Sequence, residues 1–278
     1  MIWLLALACG KDDTVVDSAP FVYDPLVRAG CTSTAAEDEH RDGDVDQIEV
    51  STWGPHAGEL TRETDEDADG AADQRRAWTY DADDQPIRED IDEDADGAVD
   101  VVTTWRWEGG LLVYEGFDRD NDGVDDLTET YAYDGAQLIR TERDPDGDGR
   151  VDEVCEFSWS ETDEHGASWL RAGSCAAGSR TLNTSEVWVG EGGAFLRSVV
   201  DINNGDLIDT RTWAYNDWSL LTGSDFERVR PDGVEEAWTT QTWYDPVGLP
   251  VAEEQHTTRR RATDVDERVE TAWGWVCE

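Results

Sequence analysis

Residues 92–107 read DEDADGAVDVVTTWRW, an acidic loop that runs without a break into a β-branched and aromatic segment. Aspartates at 92, 94, 96 and 100 surround a glycine at 97. In a calcium loop, alternate residues turn their oxygens to one centre and the glycine permits the sharp bend. An EF-hand would close the shell with glutamate at position twelve and continue as a helix. Here position twelve is Thr103, and Val101–Trp107 alternates with a period of two, the pattern of a strand. The stretch reads as a metal loop that launches a β-strand.

The same unit recurs every 26–27 residues. Nine-residue loops of the form D-x-D-x-D-G-x-x-D begin at Asp65, Asp92, Asp118 and Asp144, and a variant, DEHRDGDVD, begins at Asp38. The regular loops offer Asp65, Asp67, Asp69 and Asp73; Asp92, Asp94, Asp96 and Asp100; Asp118, Asp120, Asp122 and Asp126; and Asp144, Asp146, Asp148 and Asp152. Paired aromatics follow each loop at a fixed distance: Trp78/Tyr80, Trp105/Trp107, Tyr131/Tyr133 and Phe157/Trp159. Turn signals such as Glu108-Gly109-Gly110 and Asp134-Gly135 split each unit into two strands. The fold class is therefore all-β, an antiparallel up-and-down meander of hairpins with acidic metal loops along one edge. One aromatic face per strand needs cover, so the sheet must curl, and barrel, sandwich and superhelical wrap all satisfy that.

The domain reading is a signal segment at 1–8, a tether at 9–37 and the hairpin repeat domain at 38–278, regular over 38–170 and degenerate over 175–278. In the degenerate part the loops become CAAGSRTLN from Cys175, DINNGDLID from Asp201 and RVRPDGVEE from Arg228. The expected cofactor is Ca2+, about four ions for the regular loops and up to six if the Asp38 and Asp201 loops also bind. Mutual repulsion of three or four carboxylates in each loop would penalise folding without a cation. The loop resembles the D-x-D-x-D-G-x-x-D loops of thrombospondin type 3 repeats. The strand part, YAYDGAQLIRTER (residues 131–143), resembles the YD/RHS repeat family, which implies hairpins coiled into a β shell.

Sixty-six acidic residues stand against 22 basic ones, a formal net charge of −44. That balance excludes nucleic acid and anionic lipid as direct partners. The N-terminal MIWLLALACGKDD places a short apolar run just before Cys9 and resembles a bacterial lipoprotein signal, which implies lipidation of Cys9. Gly10 resembles the outer-membrane-sorted pattern; an ordinary secretory signal is the alternative. The expectation is an exported chain, lipid-anchored to the bacterial outer membrane or cell surface. The remaining cysteines, Cys31, Cys155, Cys175 and Cys277, allow three connectivities, of which Cys155–Cys175 with Cys31–Cys277 joins one local pair and the domain's two ends.

His40, His56, His165 and His256 are scattered, and no H-E-x-x-H, G-x-S-x-G, P-loop or Rossmann motif occurs. The chain is read as a non-enzyme: a calcium-stabilised surface repeat protein with a structural, adhesive or recognition role. Its ligand would be a carbohydrate or a protein surface. The alternative is a secreted polysaccharide hydrolase using a carboxylate pair.

Overall fold

The computed structural model describes residues 28–38, 44–178, 180–190, 194–202, 207–215, 220–230, 233–244, 249–259 and 265–277. The first strands are β1 (Cys31–Asp38), β2 (Gln47–Trp53), β3 (Glu59–Asp65), β4 (Gln74–Tyr80), β5 (Pro86–Asp92) and β6 (Val101–Glu108). Next come β7 (Leu111–Asp118), β8 (Leu127–Asp134), β9 (Gln137–Asp144), β10 (Glu153–Glu161), β11 (Trp169–Ala177) and β12 (Arg180–Val189). The last are β13 (Phe195–Ile202), β14 (Leu207–Tyr215), β15 (Leu221–Arg230), β16 (Gly233–Tyr244), β17 (Pro250–Arg259) and β18 (Val265–Cys277). Each strand pairs antiparallel with its neighbours in sequence, and β18 returns to β1, from Cys31↔Cys277 to Asp38↔Glu270. The meander is thus a closed 18-stranded barrel. Closure removes both sheet edges, which is the physical reason a long meander prefers it to an open wrap.

The acidic loops join β1 to β2, β3 to β4, β5 to β6, β7 to β8 and β9 to β10, all on one rim. The hairpin turns lie on the other. The two-residue turn from β6 to β7 uses Gly109 and Gly110, both at positive φ (58° and 83°), as a tight hairpin requires. An even number of up-and-down strands brings both ends of the barrel to the hairpin rim: Gly30 N donates to Gly54 O (3.2 Å), and Cys31 is disulfide-bonded to Cys277. Residues 31–37, read from the sequence as tether, are most of β1. The repeat domain therefore begins earlier than expected, because closure needs a strand to receive β18.

Alternate residues face opposite sides. The aromatic side is consistently the less exposed one, as in QRRAWTY (residues 74–80) and LTETYAYD (residues 127–134). A closed wall crowds side chains on its concave side, so this is the lumen face. Yet all eight aromatics of the regular pairs are only half-buried. A barrel of 16–18 strands leaves an aqueous channel, and the rings line it without filling it.

Both faces carry ion pairs. Outside are Arg75–Glu63 (3.3 Å), Arg88–Asp90 (2.6 Å) and Arg140–Glu142 (2.7 Å); inside are Arg62–Glu59 (2.7 Å), Arg76–Glu89 (3.3 Å) and Arg143–Glu153 (3.5 Å). A membrane-spanning barrel needs an apolar outer band, and a lipid-facing Arg at mid-depth costs ~2–4 kcal/mol. The described wall has no such band on either face.

The second aromatic of three regular pairs has a further task. Register shifts fall at Thr79/Tyr80, Arg106/Trp107, Ala214/Tyr215 and Trp243/Tyr244, and a bulge re-aims the side chain that follows it. Tyr80 Oη donates to Glu59 O (2.7 Å), Trp107 Nε1 to Pro86 O (2.7 Å) and Trp159 Nε1 to Leu138 O (2.8 Å). Tyr215, Tyr244 and Trp275 do the same to Phe195, Leu221 and Pro250. Each ring pins the start of the return strand of the preceding hairpin.

Candidate metal centres

The fixed spacing of each loop sets its backbone. Position six takes positive φ in Gly70, Gly97, Gly123 and Gly149 (84–95°), and position four does so in Ala68, Ala95, Asn121 and Gly147 (52–65°). Two left-handed residues two apart coil the chain tightly enough for its side chains to reach its own amides. The first aspartate accepts from the position-six N–H through Oδ2: Gly70 2.8 Å, Gly97 2.9 Å, Gly123 2.8 Å and Gly149 2.7 Å. In three loops its Oδ1 accepts from the position-five N–H: Asp69 3.1 Å, Asp96 3.1 Å and Asp122 3.2 Å. The ninth residue closes the loop, its N–H donating to Thr64, Ile91, Phe117 or Arg143 O.

Three carboxylate oxygens converge to within 4.8 Å of one another in every regular loop. The groups are Asp65/Asp67/Asp73, Asp92/Asp94/Asp96, Asp118/Asp120/Asp122 and Asp144/Asp146/Asp152. Positions one and three always take part; the third member is position nine in the outer two loops and position five in the inner two. Asp69, Asp100, Asp126 and Asp148 lie outside the groups. Asp69 and Asp148 accept from Ala71 N and Arg150 N, and Asp100 and Asp126 from Glu93 N and Arg119 N. The first aspartate is buried in each loop, from 5% exposed at Asp118 to 9% at Asp65.

The set fits a hard cation. In the last loop Asp144 Oδ1 is buried with no hydrogen-bond partner, and such a group costs ~1–3 kcal/mol unless something satisfies it. Burial works to raise the Asp144 carboxyl, but the Gly149 N–H and its neighbours hold it below its ordinary range. Asp146 goes the other way: the Asp148 N–H pulls it down, yet desolvation, its bond with Asp144 and the charges of Asp148 and Asp152 push it up. Like charges held this close ionise reluctantly together. Carboxylate oxygens alone suit calcium or magnesium better than zinc or copper.

The four loops form a row. Arg75 Nη1 donates to Ala95 O (2.7 Å) and Asn121 Nδ2 to Val99 O (2.9 Å), each reaching from one loop or its strand to the next loop. Gly147 abuts the 118–126 loop so closely that a Cβ would stand 2.6 Å from Asp125 O. Asp125 itself fills the space above Gly116 and is bonded by the Tyr114 hydroxyl. Burial, that bond and the Asp125 charge push Tyr114 up to about 12.

The remaining expected sites differ. In the Asp38 loop, residues 39–43, including His40, lie outside the described residues. In the Asp201 loop, 203–206 do as well, and Asp209 accepts two hydrogen bonds from Arg228 (2.9 and 2.8 Å), which commits it to an ion pair. Cys9 is outside the described residues. Cys155–Cys175 and Cys31–Cys277 are both disulfides between directly paired residues.

One polar cluster had no sequence signal. Glu115 and Glu129 face each other across β7 and β8 beside a lumen cavity of about 480 Å³ lined also by Phe117, Arg143 and Glu153. Trp105 Nε1 (2.9 Å) and Tyr131 Oη (3.0 Å) donate to Glu115, and burial pushes the Glu129 carboxyl up. Only the pairing of strands juxtaposes them.

No family model and no curated protein matches the chain. Among solved structures it is similar to a porin-like protein from Bacteroides uniformis, with 11% identity, a TM-score of 0.47, and 93% of this chain and 100% of that one covered. It is similar to a porin-like protein from Bacteroides vulgatus at 9% identity and TM-score 0.32, covering 87% and 97%. A structure titled TcdB2-TccC3-TEV matches at 10% identity and TM-score 0.31, over 82% of this chain and 15% of that one.

Proposed function

We propose that this protein is a calcium-stabilised barrel displayed at the cell surface by a lipid on Cys9, with a structural, adhesive or recognition role. The observation that carries the reading is the row of four contiguous loops, each gathering three carboxylates around a buried first aspartate. Calcium bound there would supply charge neutralisation to the rim. The aspartates at positions one and three, with position five or nine, would hold it, and carbonyls and water would complete a shell of 6–8 oxygens. Loops of this exposure bind at about 10⁻⁴–10⁻³ M, which suits a standing structural ion outside the cell.

Calorimetric titration of the chelated chain with calcium tests the reading, with about four ions expected. Uptake of none refutes it. The polysaccharide-hydrolase alternative is favoured by one observation, the Glu115–Glu129 pair on its lumen cavity. Turnover of a polysaccharide that disappears in Glu115→Gln would move the assignment to that reading.

A further inference from the structure

The large apolar side chains left exposed divide unevenly between the rims. On the acidic rim, among the described residues, they are Val45, Val124, Val151 and Ile208. The exposed Trp and Phe side chains are all on the hairpin rim: Trp169 (37%), Phe195 (45%) and Trp243 (40%), with Leu221 beside them. They belong to successive hairpins between β11 and β17. In the regular half the same rim exposes only Leu60 and Ile139 among the described large apolar residues, and it carries Asp81, Asp83 and Asp84 on the turn after β4 and Asp134 at the end of β8. Val251 and Val276 are exposed in the same sector, and although single exposed apolar residues are ordinary, six at strand ends along one part of a rim are a concentration.

We propose that the β11–β18 sector of the hairpin rim rests on a lipid surface, with Trp169, Phe195, Leu221 and Trp243 at headgroup depth. This inference rests on the lipid-anchor reading. The described chain begins at Arg28 on that rim, where β1 lies between β18 and β2, so an anchor upstream tethers the hairpin rim and not the acidic rim. Residues 9–27 can span at most ~65 Å, which keeps the rim within reach of the bilayer. Tryptophan favours the membrane interface, where a ring can sit among headgroups while its N–H stays wet. The orientation also points the aspartate row away from the bilayer. With a net charge of −44, the compatible surface is zwitterionic.

The test uses the full chain on phosphatidylcholine vesicles whose acyl chains carry bromine, reading tryptophan quenching. Trp169→Phe/Trp243→Phe preserves packing and should remove at least half of the quenching, because those rings are the ones in contact. Phe195→Ser/Leu221→Ser should lower quenching about twofold by weakening docking, and Val124→Ser/Val151→Ser on the opposite rim should leave it unchanged. Equal quenching in the wild type and the Trp→Phe pair overturns the proposal. So does a dimer in vesicle-free solution that Phe195→Ser/Leu221→Ser dissolves, since the patch would then serve a second copy. Mass spectrometry of Cys9 reads the anchor separately. If Cys9 carries no lipid, the anchor reading fails on its own, and quenching is then read on protein added to vesicles from solution, where its absence overturns docking.

Discussion

From β2 to β10 the strands are seven to nine residues long and the rim beyond them is built from nine-residue aspartate loops. From β11 to β18 the strands run eight to thirteen residues, and as few as two residues separate β11 from β12 and β15 from β16. The two disulfides lie near the seams between these regions, Cys155–Cys175 across β10 and β11 and Cys31–Cys277 across β18 and β1. Both regions must order the same rim. One does so with side chains that satisfy loop amides and gather carboxylate oxygens; the other extends the backbone ladder itself. The comparison teaches that the acidic loop and the longer hairpin are alternative solutions, and that covalent staples sit where one gives way to the other.

Chelation is the strongest way to break that symmetry. If free calcium is tenfold above the dissociation constant, each site adds about 1.4 kcal/mol, and four approach the whole net stability of a domain. EDTA should lower the melting temperature sharply and accelerate hydrogen exchange in β3–β10 more than in β12–β17. Uniform acceleration would mean that the halves are not independent in this way. The disulfides come next. In the chain-entropy model, Cys31→Ser/Cys277→Ser costs about 5 kcal/mol and Cys155→Ser/Cys175→Ser about 3, read by denaturant unfolding. Calcium should compensate the second loss more than the first, because Cys155 stands just beyond the 144–152 loop whereas Cys31 and Cys277 lie on the opposite rim.

The aromatic latch is shared by both halves, so its removal should cost the same in each. Tyr80→Phe and Tyr244→Phe each leave a carbonyl without its donor, for a loss of about 1 kcal/mol in chemical denaturation. A much larger loss in one half would show that its hairpins depend on the latch. The smallest effect belongs to Glu129. Its carboxyl is raised in the folded barrel, burial being the first cause, so its ionisation opposes folding. The folded state holds that proton more tightly, and stability falls as pH rises from the unfolded carboxylate value through the raised one. Glu129→Gln should therefore gain on the wild type across that rise, measured as the difference in melting temperature.

Much of this was legible because two local signals agree. Period-two alternation in Val101–Trp107 and its counterparts specifies strands, and D-x-D-x-D-G specifies a loop whose own side chains bond its amides. Neither depends on distant residues. The start of the barrel was misplaced because CTSTAAED (residues 31–38) is short, small and polar; it becomes a strand by lying between β2 and β18, which no local pattern announces. The spacing of the aromatic pairs marks one face of each strand as needing cover, but it does not show that Tyr80, Trp107 and Trp159 donate to carbonyls about 21 residues upstream, which only strand pairing brings into reach.

The sequence by itself determined the hairpin repeat, the acidic loops and the ligand atoms each loop can offer, since all of these follow from the rotation of a chain about its own bonds. Only the tertiary structure decided that the sheet closes, that the rings facing its lumen stay half-buried, that the loops abut in a row, and that Glu115 confronts Glu129. Those depend on which strands meet, and pairing residues such as Cys31 and Cys277, separated by 246 positions, is a property of the whole wall.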